Sequence, residues 1–114
     1  MSELPITFLG NEITVGDAKI TAPHPVVYAA ALGSRVVVLY APDSWREKFG
    51  QFNNLVALTH AGEEIWEAEL PTTTSGDSYY EVVSVSPLRA RSVKSFECVI
   101  DPRTGKILEK TFLK

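Results

Sequence analysis

Residues 100–110 read IDPRTGKILEK, and residues 58–68 read LTHAGEEIWEA. In each, an apolar strand ends in a polar turn with glycine, and a charged then an aliphatic residue follow. Leu58 aligns with Ile100 at a spacing of 42, while Gly62 with Gly105, Ile65 with Leu108 and Trp66 with Glu109 align at 43. The second turn therefore holds one extra residue. A period in the low forties is the length of one four-stranded antiparallel unit in repeat β proteins. The spacing predicts one unit over 26–70, with strands 26–32, 35–41, 54–60 and 64–70. A second unit covers 79–113, with strands 79–85, 87–93, 95–101 and 106–113.

Turn chemistry agrees with that division. LGNE, VGDA and LGSR each place glycine beside Asn, Asp or Ser between strand-forming runs, which suits tight hairpins needing positive φ. Residues 4–22 hold short strands in PITFLG, EITV and AKITA and are expected to complete a sheet edge. RVVVLY, residues 35–40, is apolar on both faces and belongs in a sheet centre with something packed on each side. One segment breaks the strand pattern. Ser44 with Glu47 forms a capping box, Trp45 and Phe49 share a face, and Gly50 stops the run, so a short helix is expected near 44–49. The fold class is all-β: two antiparallel sheets stacked face to face in a single domain over 1–114.

The pair of hairpins resembles the blade repeat of quinoprotein-type (PQQ-type) β-propellers, whose pattern is an apolar strand, Asp, two residues, Thr-Gly, a charged residue and a strand ending in Trp. VIDPRTGKIL carries Asp101, Thr104 and Gly105 of it but has Glu109 at the Trp position, whereas ALTHAGEEIW carries Gly62 and Trp66 but lacks the Asp and Thr. The last half of the chain is also similar to small bacterial proteins of unassigned function that combine G-x-x-x-W, a D-x-Y loop and a closing ID-x-x-TGK-I strand. Here these are Gly62 to Trp66, Asp77 to Tyr79 and Ile100 to Ile107. The resemblance implies blade-like sheets. Two blades are too few to close around an axis, since propellers use about four or more. Both copies of the motif are imperfect, so no quinone or other cofactor is expected.

Bulk properties narrow the function classes. Hydrophobic residues make up 45% of the 114 and charged residues 22%, the balance of a globular chain rather than a disordered or membrane one. No secretory leader is expected, and the single Cys98 cannot form an internal disulfide, so the expected compartment is the cytoplasm. Net charge is −3, split between an acidic stretch to residue 88 and a basic stretch after it. General nucleic-acid binding normally needs a basic footprint and is not expected.

No motif identifies a reaction. His24 and His60 have no metal-ligand spacing, no nucleophile elbow is present, and Cys98 alternates with Phe96 and Ile100 as a buried hydrophobe would. No catalytic or metal residue is assigned. Strict alternation along EEIWEAEL puts Glu63, Glu67 and Glu69 on one face and Glu64 on the other with Trp66. The candidate recognition surface is instead Asp77, Tyr79 and Tyr80 beside the TTTSGD loop, with Arg89 and Arg91 on one strand face. Tyrosine and arginine are enriched at binding hot spots. A competing structural account packs the tyrosines on the neighbouring sheet and pairs the arginines with the acidic strand that holds Glu63, Glu64, Glu67 and Glu69. The sequence thus points to a non-enzymatic protein-binding module, immunity-like or antitoxin-like, with a homodimer as a further expectation. The alternatives are an enzyme with a carboxylate/Tyr cleft at a sheet edge, or a purely structural oligomeric module.

Overall fold

The computed structural model describes residues 5–42 and 51–113. The helix expected near 44–49 lies outside the described residues. What is described is all-β, with eleven strands in three antiparallel sheets. The first sheet has β1 (Ile6–Leu9), β2 (Glu12–Val15) and β3 (Ala18–Thr21). The central sheet runs β4 (Val26–Leu32), β5 (Arg35–Tyr40), β6 (Leu55–Thr59) and β7 (Glu64–Glu67) in spatial order. The last sheet runs β11 (Ile107–Phe112), β10 (Phe96–Ile100), β9 (Leu88–Ser92) and β8 (Tyr79–Val85).

Residues 5–22 do not complete an edge of either four-stranded sheet, as the sequence suggested. They form a layer of their own, because Ile13, Val15 and Ile20 share one pleat face and bury it against Val36, Val38, Val56 and Leu58 of the central sheet. The opposite face of that sheet presents Val37, Leu39, Ala57 and Trp66 to Tyr79, Leu88, Ala90, Cys98 and Ile100 of the last sheet. The central sheet is therefore covered on both sides, which is why RVVVLY has no polar alternation. Val36, Val37 and Val38 are all 0% exposed, and each fully buried valine contributes about 1.5–3 kcal/mol of transfer free energy. The two outermost faces are polar. Glu12 and Lys19 pair at 3.7 Å on the first sheet, and Arg91 with Glu97 at 2.9 Å on the last, so the stack ends where a further apolar layer would have to begin.

The two aligned hairpins are built alike. Each slips register at the same aligned place, between Ala57 and Leu58 and between Val99 and Ile100. The Thr59 and Asp101 backbone N–H groups donate across the turn to the Glu63 and Lys106 carbonyls, each at 2.8 Å. Asp101 Oδ1 accepts the Arg103 N–H at 2.9 Å, and Thr59 Oγ1 takes the same part by accepting from Ala61 and Glu63. The Thr59 hydroxyl thus does in the first hairpin what the Asp101 carboxylate does in the second. The hairpins also dock on each other. The Trp66 indole N–H donates to the Pro102 carbonyl at 3.0 Å, and the Glu69 N–H to the Gly105 carbonyl at 2.8 Å. A Cβ on Gly105 would lie 2.7 Å from Trp66 Cε3.

Gly105 and Gly33 separate two costs of side-chain addition, because both have positive φ, 76° and 61°, but only Gly105 has neighbours in reach. Gly33→Ala is expected to lose about 1–2 kcal/mol for a left-handed alanine. Gly105→Ala is expected to lose about 2–5 kcal/mol once overpacking against Trp66 is included. Denaturant unfolding of both variants checks the difference; equal losses would remove the indole–glycine contact as a determinant of stability.

Candidate functional site

The residues that the sequence grouped into a recognition surface do not come together as one. Asp77 and Tyr79 are 0% exposed. Asp77 accepts the Thr72 hydroxyl at 2.7 Å and the Ser78 N–H at 2.9 Å, so its carboxylate ties the 72–78 loop to itself. Tyr79 lies between the central and last sheets, its hydroxyl donating to the Glu69 carbonyl at 2.6 Å, and burial holds that phenol far above the ordinary tyrosine range. Arg89 and Arg91 do share a face of β9, but Glu97 lies 3.6 Å from Arg89 and 2.9 Å from Arg91, and Glu81 lies 3.6 Å from Arg91. Of the five, Tyr80 alone is an exposed residue. A tight turn chemistry in TTTSGD was legible; that Asp77 would be the turn's internal acceptor was not.

Asn54 has no counterpart in the sequence reading. It is 0% exposed. Its amide N–H groups donate to the Tyr40 and Tyr79 carbonyls at 2.8 and 2.7 Å, and its Oδ1 accepts the Tyr79 N–H at 2.8 Å. One side chain thus satisfies backbone groups of two sheets, and an isolated buried group left unpaired costs about 1–3 kcal/mol. The only sequence signal is an Asn-Asn pair ahead of an apolar strand.

A cleft of about 250 Å³ lies beside Asn54, lined by Pro23, His24, Tyr40, Gln51, Phe52, Asn53, Glu64 and Glu67. The β-bulge in β7 builds its acidic side. Val56 and Leu58 face the first core, and their register partners are Glu67 and Glu64; Ala57 faces the other core opposite Trp66. Ile65 is the extra residue. The slip places Glu64 and Glu67 on one face and Trp66 on the other, which corrects the strict alternation expected from EEIWEAEL. The other wall is aromatic: the His24 ring centroid is 5.3 Å from Tyr40 and 4.9 Å from Phe52, both tilted edge-on, and Tyr40 lies 6.5 Å from Phe52.

The electrostatics of this cleft are unbalanced. Glu64 and Glu67 are both exposed residues, and partial desolvation at the cleft wall, then the neighbouring Glu67, raises the Glu64 carboxyl above its ordinary value. Burial, Glu64 and Glu67 push the Tyr40 phenol up to about 12. No ion pair joins Glu64 or Glu67 to a cation among the described residues. A larger groove of about 770 Å³ runs between residues 69–74 and β11, and two of its three charged side chains, Glu69 and Lys110, bond backbone groups of the groove itself. Lys110 Nζ donates to the Pro71 carbonyl at 2.8 Å, and Glu69 Oε1 accepts the Ile107 N–H at 3.0 Å. Among the described residues no group of three or more His, Cys, Asp or Glu side chains could hold a metal ion, and no helix is long and apolar enough to cross a membrane.

This geometry defines an all-β sheet stack with one acidic, aromatic-walled cleft at the β7 edge. Residues 3–112 match the family described as Domain of unknown function (DUF7957), and the chain belongs to that family. No curated protein and no solved structure matches it.

A carboxyl whose pKa is higher in the folded than in the unfolded chain binds more protons when folded, so it lowers stability as pH rises through its titration. Glu64→Gln is therefore expected to raise the midpoint of thermal unfolding at pH 7 relative to wild type. The gain should close as pH falls below the carboxylate range, where wild-type Glu64 is also neutral. Thermal scans of both proteins across that range check it, and a pH-independent gain would mean that packing rather than charge is responsible.

Proposed function

We propose that the chain is a protein-binding module of the cytoplasm whose recognition element is the β7-edge cleft, and that this cleft receives a lysine or arginine side chain of the partner. The observation that carries the reading is the pair Glu64 and Glu67, held on one strand face beside Tyr40 with no cation assigned to them among the described residues. Two like charges kept together are costly until a cation joins them. The Tyr40, Phe52 and His24 rings supply apolar and quadrupolar surface for the stem and head of such a side chain. Size agrees as well. Small-molecule pockets run to about 300–1,000 Å³, and this cleft, at about 250 Å³, suits one side chain better than a free metabolite.

The defined probes are acetyl-arginine amide and acetyl-lysine amide, with acetyl-glutamine amide as the neutral control, titrated while the backbone and side-chain resonances of Tyr40, Glu64 and Glu67 are followed. The cationic probes should shift these signals in the millimolar range, the control should not, and Glu64→Gln/Glu67→Gln should abolish the shifts while remaining folded. Shifts that are absent, or unchanged in the double variant, overturn the assignment.

The neighbouring carboxyl groups of Glu64 and Glu67 in one cleft also favour a second reading, acid–base hydrolysis at the sheet edge, because such chemistry uses a pair of carboxyl groups flanking the scissile bond. Chromogenic glycosides distinguish the two. Turnover with a bell-shaped pH profile, lost in Glu64→Gln, supports the enzyme, and no turnover alongside cation-specific shifts supports the binding module.

A further inference from the structure

The sheet edges are defended unequally. β7 carries Glu64 and Glu67 and a bulge. β11 carries Glu109 and Lys110 and a bulge, and residue Glu69 caps its start through Gly105 and Ile107. β8 carries Glu81 and two register slips, β3 carries Lys19, and β1, which has no charge, is only four residues long. Charges and bulges of this kind keep edge strands from pairing with other chains. β4, VVYAAAL, is seven residues long with no charged residue and no proline; its one register slip lies at its start, between Val26 and Tyr28, and from Tyr28 to Leu32 its register with β5 is unbroken.

The direction of its free backbone follows from the hairpin. Leu32 pairs with Arg35 across the two-residue Gly33-Ser34 turn, so Leu32, Ala30 and Tyr28 direct their N–H and C=O groups at β5. Those of Ala29 and Ala31 point away from the sheet. Among the described residues no hydrogen bond from another segment reaches them, whereas Val26, at the strand's start, does donate to the Gly10 carbonyl at 2.8 Å.

We propose that β4 is a self-association strand, pairing antiparallel with β4 of a second copy about a two-fold axis at Ala30 and joining two central sheets into one. A two-fold normal to a sheet sets a residue opposite its own copy, because register partners must share a face. With Ala30 opposite Ala30, Ala29 of each copy exchanges both backbone bonds with Ala31 of the other, and Tyr28 stands opposite Leu32. The register contains no like-charge pair and no bulky clash, since small alanines occupy its centre. Its flanks are apolar too. β1 lies alongside β4 on one side and β8 on the other, and these three edges hold Phe8, Leu9, Val27, Tyr80 and Val83, five of the exposed large hydrophobic residues, with Leu9 86% exposed. The same two-fold brings β1 near β1 and β8 near β8, covering that strip. The second copy is favoured over a foreign strand because every position of the register is matched by the chain itself.

Sedimentation velocity of the full chain at micromolar concentrations should give twice the monomer mass, and Ala30→Lys, which sets two like charges opposite each other, should give the monomer with an unchanged β-sheet circular dichroism spectrum. Ala30→Cys provides an independent readout that needs no disruptive change. The native Cys98 is buried at 0% exposure, so mild oxidation should yield a disulfide-linked dimer of Ala30→Cys and none of Leu108→Cys on the defended β11 edge. A monomeric wild type, a dimer indifferent to Ala30→Lys, or crosslinking of Ala30→Cys no faster than of Leu108→Cys overturns the proposal.

Discussion

The contact on which the stack depends is the indole of Trp66 lying against Gly105. It needs both partners to be unusual: a large ring with a donor, and a turn residue with no Cβ. Because the ring occupies the space that a side chain at 105 would fill, the second hairpin reaches β7 closely enough for Glu69 to bond Gly105 and for Pro102 to accept the indole N–H. Arg35 on β5 adds to it, donating to the Pro102 carbonyl at 3.1 Å. The same relation holds one layer earlier in cruder form. A Cβ on Gly62 would meet Ile20 of the first sheet at 3.0 Å. Layers are thus registered by an apolar side chain of one sheet resting on the turn glycine of the next, and Asn54 secures the other end of the interface through backbone groups of Tyr40 and Tyr79.

The cleft follows from that arrangement. Its acidic side exists because β7 slips by one residue before Leu58, turning Glu64 to the face of Glu67 while Trp66 stays directed at the last sheet. Without the bulge, one strand could not supply both the docking indole and the acid pair. Its aromatic side is the cleft end of the first core, where the buried Tyr40 and Phe52 continue the row begun by Val36 and Val38. A structural requirement and a candidate recognition site therefore share four residues of strand.

Much of the fold was legible because turn glycines and two-residue periodicity are local signals. The hairpins at Gly10, Gly16 and Gly33 form at the quoted positions, with φ of 59°, 59° and 61°. RVVVLY declared itself a doubly covered strand by lacking polar alternation. The candidate site was less legible. The sequence grouped Asp77 and Tyr79 as recognition residues beside a polar loop, yet Asp77 is the acceptor of that loop's own Thr72 and Ser78, and Tyr79 bonds Asn54 and Glu69 from other elements, as only the packed sheets reveal. His24, Tyr40 and Phe52 are far apart in the chain and meet only when the first sheet closes over the central one.

What the sequence determined by itself was the set of strands, their turns and the likeness of two hairpins, since these rest on backbone conformations that individual residues permit or forbid. Tertiary structure alone decided that residues 5–22 form a third layer, that Glu64 turns toward Glu67, and that the acidic partners of Arg89 and Arg91 are Glu97 and Glu81 rather than the strand that holds Glu63 to Glu69. Each of these depends on which faces meet across sheets or on a one-residue slip in register. Side-chain periodicity cannot reveal such a slip, because it changes the face of a residue without changing its neighbours in the chain.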